Sequence, residues 1–292
     1  MQLDIFDHSR DVMLRNDVAQ ALEQRDAAAA RAACLVLAAE YPQDGSLPSL
    51  ERLIEALAQQ GGQPPFADPA AACEARAMLV EHIEPAALSV FGVRAGTGWL
   101  TPLWRELAAR AGRLPFRSEH LEEHAAPLWL RAGDAQSAAA AVESIESWRR
   151  IPAPLGWMAE ARHRLDGLEA SWPLLAELAW LAPPRFDSLT RRLGDPALDK
   201  LLKAFGTSFD DVGPPDDLAW FPAWVLTEKP GLARWLSLAE RSLDSAPERG
   251  MRRMLELLSL EKQGRHAEMM DRRKQLLQAH EPLYRAYMRS RG

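Results

Sequence analysis

The chain has 292 residues, 47% hydrophobic and 26% charged, enough apolar side chain for a sizeable core and too ordinary a balance for wholesale disorder. A formal net charge of −6 argues against a protein that coats nucleic acid. Two cysteines, Cys34 and Cys73, exclude a disulfide framework and a four-cysteine zinc site, and no apolar run approaches the ~20 residues of a membrane span.

The amino terminus, Met1 to Asp7, has no basic region followed by an apolar run. It therefore lacks a secretory signal, and the expected location is the cytoplasm. Residues 1–7 form a candidate peptide of their own, and Asp7 or Ser9 is the expected N-cap of a first helix. From residue 8 to 292 the pattern is that of a continuous α-helical array. Strand signals are nearly absent: there are five isoleucines and five threonines, and alanine and leucine fill the rest.

Leu50, Leu53, Ile54 and Leu57 fall at i, i+3, i+4, i+7 and predict an amphipathic helix, with Pro48 in its first turn. The segments around Gly61-Gly62 and from Gly92 to Gly98 read as loops. All ten tryptophans lie between Trp99 and Trp235, which hints at a seam near 61–98. Ala138, Ala141, Val142, Ile145 and Trp148 form a second stripe. Leu174, Leu175, Leu178, Ala179 and Leu181 leave almost no polar face, as in a helix buried between neighbours. A long acidic, proline-rich loop is expected at 210–217. Trp220 and Trp224, one turn apart, read as a core stripe, and Met251, Met254, Leu255 and Leu258 form a third amphipathic set. The expected class is all-α, with stacked antiparallel helical hairpins and no significant sheet.

The hairpins share a register. Gly133-Asp134 is followed by Ala138; Asp166-Gly167, thirty-three residues after Gly133, is followed by Ser171 and closed by Pro183. Arg25-Asp26 is followed by Ala30 and closed by Pro42, and Gly264-Arg265 by Met269 and Pro282. Small residues, Ala126 and Ala159, also sit in the preceding helices. These segments resemble tetratricopeptide repeats over about half the chain. Met269 is large for its position, Arg162 stands where an aromatic belongs, and the stretch from 47 to 115 matches poorly. The resemblance implies a peptide-binding groove lined by the first helix of each hairpin, here His120, Glu123 and Arg131, then Glu160, His163 and Arg164.

Other motifs compete. His120-Leu121-Glu122-Glu123-His124 resembles the inverted zinc-peptidase signature, in which two histidines on one helix face hold a metal beside a general base. The third ligand that family needs has no glutamate in the window from Gly194 to Leu202. The residues from Glu248 to Arg291 carry eleven Lys/Arg against six acids, a basic stretch in an acidic chain, with the acids interleaved throughout. Direct nucleic-acid binding is therefore not expected. Finally Gln2, Leu3, Ile5 and Phe6 resemble the pentapeptide by which bacterial replication and repair proteins hold the sliding clamp; the competing reading is that Leu3, Ile5 and Phe6 staple the first helix onto the array. The function expected from all this is a non-enzymatic protein–protein interaction scaffold without metal or cofactor. A clamp-associated replication or repair accessory is the alternative, and a zinc hydrolase at 120–124 a third reading.

Overall fold

The structure, a computed structural model, describes residues 3–209, 211, 213, 215–240 and 244–291, with the backbone alone for 3–9. Among these residues every regular element is helical and no strand occurs. None of the helices is long and apolar enough to cross a membrane. The chain divides into two compact units, Met1–Asp134 and Ala135–Gly292.

In the first unit, α1 (Leu3–Glu23) and α2 (Ala27–Glu40) form a hairpin. The turn between them puts Arg25 at φ 61°, and Asp26 caps α2 by accepting the Ala29 amide at 2.9 Å. Val18 and Leu22 on one helix and Ala30, Cys34 and Leu37 on the other are buried. Helix α1 starts at Leu3, upstream of the expected caps Asp7 and Ser9. α3 (Leu47–Ala58) buries the predicted Leu50, Leu53, Ile54 and Leu57 and packs against α2.

α4 (Pro69–Met78) runs through one π-helical turn, Leu79–Ile83, into α5 (Glu84–Ala111). Within α5 only Gly92 leaves helical geometry, at φ 76° and ψ 171°. The chain folds back there: a Cβ placed on Gly96 would lie 2.8 Å from the Ala87 carbonyl oxygen, and the Phe91 and Trp99 rings stack at 5.8 Å. The expected Gly92–Gly98 loop is thus a single-residue turn, and Gly96 serves close backbone approach instead. The indole of Trp99 donates to the Leu22 carbonyl at 2.9 Å, tying α5 to the end of α1. A 3₁₀ turn (Leu121–Glu123) and α6 (Ala125–Arg131) complete the unit.

The seam expected near 61–98 falls inside this unit, because the loop there is stitched to α5. Phe66 is buried, its amide donates to the Arg110 carbonyl at 3.1 Å, and the Arg110 guanidinium lies 4.0 Å from its ring centroid.

The second unit opens with α7 (Ala135–Glu143), packed on α8 (Pro152–Leu181). α8 is two helical arms, since Gly167 stands at φ 83° and ψ −179°. A Cβ on Gly156 would lie 3.7 Å from Leu178 Cδ2, which only a hairpin about Gly167 allows. The second arm buries Leu174, Leu175, Leu178 and Ala179, as their unbroken apolar run predicts. α9 (Pro183–Leu193) lies on α8 and ends at Gly194 in the left-handed conformation. α10 (Pro196–Ser208) follows, capped by Asp195.

A 3₁₀ turn (Asp216–Trp220) leads into α11 (Phe221–Glu228), then α12 (Ala233–Leu236), α13 (Ala246–Gln263), α14 (His266–Ala279) and α15 (Glu281–Arg289). Every side chain from Phe221 to Thr227 is buried, and the rings of Trp172, Phe186, Phe205 and Trp224 surround Phe221. Trp220 and Trp224 are both buried, the core role their spacing predicts. Of the acidic loop at 210–217, residues 210, 212 and 214 lie outside the described set.

Candidate functional site

The residues singled out from the sequence are spent on contacts within their own unit. In the first, Glu123 is buried and accepts from Arg76 at 3.2 Å, with His120 Nδ1 at 3.9 Å. Arg131 pairs with Glu84 at 3.3 Å and lies over the Trp104 ring. In the second, the buried Glu160 carboxylate accepts from Arg164 at 2.5 Å and from Arg192 at 2.6 Å. His163 Nε2 stands 3.2 Å from Asp195 Oδ2.

The shared helix face expected for His120 and His124 is not formed. His120 precedes a 3₁₀ turn, and His124 is extended at φ −69°, ψ 146°, with Nδ1 accepting the Ala126 amide as the cap of α6. Burial pushes the His124 imidazole down to about 4. Among the described residues no group of three or more His, Cys, Asp or Glu is placed to hold a metal ion.

Gln2 lies outside the described residues, and Leu3, Ile5 and Phe6 belong to the first turns of α1, where only the backbone is described. The basic stretch is largely neutralised from within. Arg249 pairs with Asp244, Arg265 with Glu268, Arg272 with Glu256, Arg285 with Glu281, and Arg291 with Glu261. Arg289 caps the Ser208 carbonyl at 2.8 Å. Arg253, Lys262 and Lys274 keep no such partner among the described residues.

A cleft of about 910 Å³ opens in the second unit between one face of α9, one face of α10 and the 3₁₀ turn before α11. From α9 come Asp187, Thr190 and Arg191; from α10 come Asp199, Leu202, Lys203 and Gly206; Leu218 and Asp217 close the third side. Asp187, Thr190 and Arg191 share one stripe of α9 at i, i+3 and i+4, and α10 adds Asp199, Leu202, Lys203 and Gly206 at i, i+3, i+4 and i+7 together with Phe205, Thr207 and Ser208 of its last turn. The left-handed Gly194 turns the chain between them, and Asp195 starts α10 by accepting the Ala197 and Leu198 amides at 2.9 and 3.1 Å.

Its floor is apolar, from half-buried Leu202 and Leu218 and the stacked Phe205–Phe209 pair at 4.7 Å. Its rim is charged. Arg191 pairs with Asp187 on its own helix at 2.6 Å. Asp199 and Lys203, at the same spacing on α10, make no ion pair or side-chain hydrogen bond among the described residues. The hydroxyls of Thr190, Thr207 and Ser208 donate to carbonyls of their own helices at 2.8–3.0 Å. Asp217 is buried, with Oδ1 accepting the Gly213 amide at 3.0 Å and Oδ2 the Asp211 amide at 3.3 Å.

The third side is braced from behind. His280 Nδ1 accepts the Leu283 amide at 3.2 Å, leaving the proton on Nε2, 2.8 Å from Asp211 Oδ2. The His280 ring stacks on Trp220 at 3.5 Å, and Gly250 makes room, since a Cβ there would lie 2.6 Å from the indole.

Sequence reasoning did not bring these residues together as one site. The usable signal was the twice-repeated Asp-x-x-x-basic spacing, Asp187/Arg191 and Asp199/Lys203, on either side of a glycine that ends a helix. Compared with protein-family models, with curated proteins and with solved structures, the chain matches none of them.

Proposed function

We propose that this chain is a cytoplasmic helical scaffold that binds another protein, and that the α9–α10 cleft is where it does so. One observation carries the reading: the cleft combines an apolar floor with an acid and a base, Asp199 and Lys203, that no group of the described chain neutralises. Convergent polar groups over an apolar floor make a recognition surface. The hydroxyls that line it are already committed to backbone carbonyls, which leaves them poorly placed as nucleophiles. The tetratricopeptide-like register is consistent with a scaffold role, but the side chains it nominates for a groove already face partners within their own unit, so the binding surface is assigned to the cleft instead.

The test is affinity capture from source cells with the wild-type chain, Leu202→Glu and His120→Ala. A partner captured by wild type and His120→Ala but lost with Leu202→Glu is the expected result. Retention by all three would remove the cleft from the account.

A second reading rests on the sequence match of Gln2, Leu3, Ile5 and Phe6 to a clamp-binding peptide. The helical backbone from Leu3 would have to unwind to present an extended segment. Titration of purified bacterial clamp with wild-type and Leu3→Ala/Phe6→Ala chains tests it; no binding by the wild type at tens of micromolar ends it.

A further inference from the structure

We infer that the occupant of the α9–α10 cleft is a basic, leucine-bearing segment of a partner protein; this rests on the protein-binding reading and names the partner's chemistry. The charges around the cleft decide it. Asp187 is already answered by Arg191, and Lys203 is exposed, so its ammonium stays solvated on a flexible stem. Asp199 is half-buried on a short side chain and cannot swing into water in the same way. Asp217 is buried and accepts from two backbone amides, and the exposed Asp216 lies beside it.

The carboxyl end of α10 is already answered, since Arg289 donates to the Ser208 carbonyl at 2.8 Å. The unanswered carboxylate beside the apolar floor is therefore Asp199. A cationic side chain entering beside Leu202 would pair with Asp199, while an acidic one would meet Asp199 and Asp217 together. Apolar side chains of the segment would rest on Leu202, Leu218 and the edge of Phe205. The wall supplied by α10 runs from Asp199 to Ser208, which a helical segment of about 10 residues, ~15 Å, would match.

The experiment uses two fluorescent synthetic peptides with one leucine pattern at i, i+3, i+4 and i+7. One carries lysine on its polar face and the other glutamate. Anisotropy is measured against the full-length wild type, Asp199→Asn, Asp199→Lys and Leu202→Glu. Glu146→Lys, at an exposed acid with no partner among the described residues, makes the same charge change as Asp199→Lys away from the cleft lining. Circular dichroism confirms that each variant is folded.

The lysine peptide should bind the wild type at least tenfold more tightly than the glutamate peptide. Asp199→Lys should weaken it tenfold or more, Asp199→Asn by less, and Leu202→Glu should abolish binding, with Glu146→Lys near wild type. Equal binding of the two peptides, equal effects of Asp199→Lys and Glu146→Lys, or no binding of the lysine peptide would overturn the inference. If Leu202→Glu still abolishes capture of a cellular partner, the protein-binding reading survives that loss.

Discussion

Gly156 and Leu178 are separated by a break at Gly167 midway between them, yet a Cβ on Gly156 would stand 3.7 Å from Leu178 Cδ2. In one straight helix, 22 residues would put them ~33 Å apart. The long helical stretch is therefore a hairpin with a one-residue turn, and Gly92 makes a second of the same kind in the first unit. The two turns predict opposite outcomes for two alanine substitutions. Gly96→Ala drives a methyl group to 2.8 Å from the Ala87 carbonyl oxygen and should cost about 1–3 kcal/mol. Gly156→Ala meets only ordinary van der Waals contact and should be neutral or gain up to about 1 kcal/mol of helix propensity. Urea unfolding of the two variants checks both, and a Gly96→Ala chain as stable as wild type would contradict the Gly92 hairpin.

Glu177 is buried on the second arm of α8, its Oε1 accepting the Glu240 amide at 2.8 Å and its Oε2 3.7 Å from Arg149 Nε. Burial pushes its carboxyl up to about 7; Glu248 pushes the same way, while Arg149 and Arg252 oppose. The folded chain thus holds a proton that the unfolded chain releases near 4.5. This contribution to stability is full below about 4.5 and is lost as pH rises to about 7, at most roughly 3 kcal/mol. Glu177→Gln keeps an acceptor for the Glu240 amide and should flatten that slope in a series of unfolding curves from pH 4 to 8.

His124 predicts the reverse sign in the other unit. Its imidazole is neutral in the folded chain down to about 4, whereas the unfolded chain takes up the proton near 6.5. Stability is then present above 6.5 and lost as pH falls toward 4. His124→Asn, which keeps a capping acceptor for the Ala126 amide, should remove this acid sensitivity while leaving stability at pH 8 within about 1 kcal/mol. An unchanged acid slope in that variant would assign the sensitivity to another group.

His280 joins four contacts: the cap of α15, the bond to Asp211 and the stacks on Trp220 and Phe209. His280→Ala should cost ~1–2 kcal/mol through the lost cap and stacking. It should also speed amide exchange in 215–220 while leaving α7 unchanged. Uniform exchange across the second unit would show that His280 does not brace the cleft wall.

The helical class was legible because scarcity of β-branched residues and i, i+3, i+4 spacing act locally. Leu50, Leu53, Ile54 and Leu57 are buried as their spacing requires, and so are Trp220 and Trp224. The helix turns were legible for the same reason, since Gly133, Gly167 and Gly264 all take positive φ. The cleft was not. Its walls come from two helices that a glycine separates, and whether Asp199 and Lys203 pair depends on side-chain geometry that spacing alone does not fix. The HxxEH stretch misled because i, i+4 places two histidines together only on a helix, and here a 3₁₀ turn and an extended His124 intervene. The ion pairing of Glu160 was hidden for a different reason: its second arginine, Arg192, arrives from 32 residues away.

The most direct test of the central claim is photo-crosslinking in living source cells, with a photoreactive residue at Leu202 or Lys203, and for comparison at His120, His163 or the exposed Leu35. Leu202 and Lys203 should each give the same discrete adduct with one protein, reduced by excess lysine peptide in a lysate, and the comparison sites should give none. Adducts at His120 and His163 without any at Leu202 or Lys203 would move the binding surface back to the helix faces and contradict the assignment of the cleft.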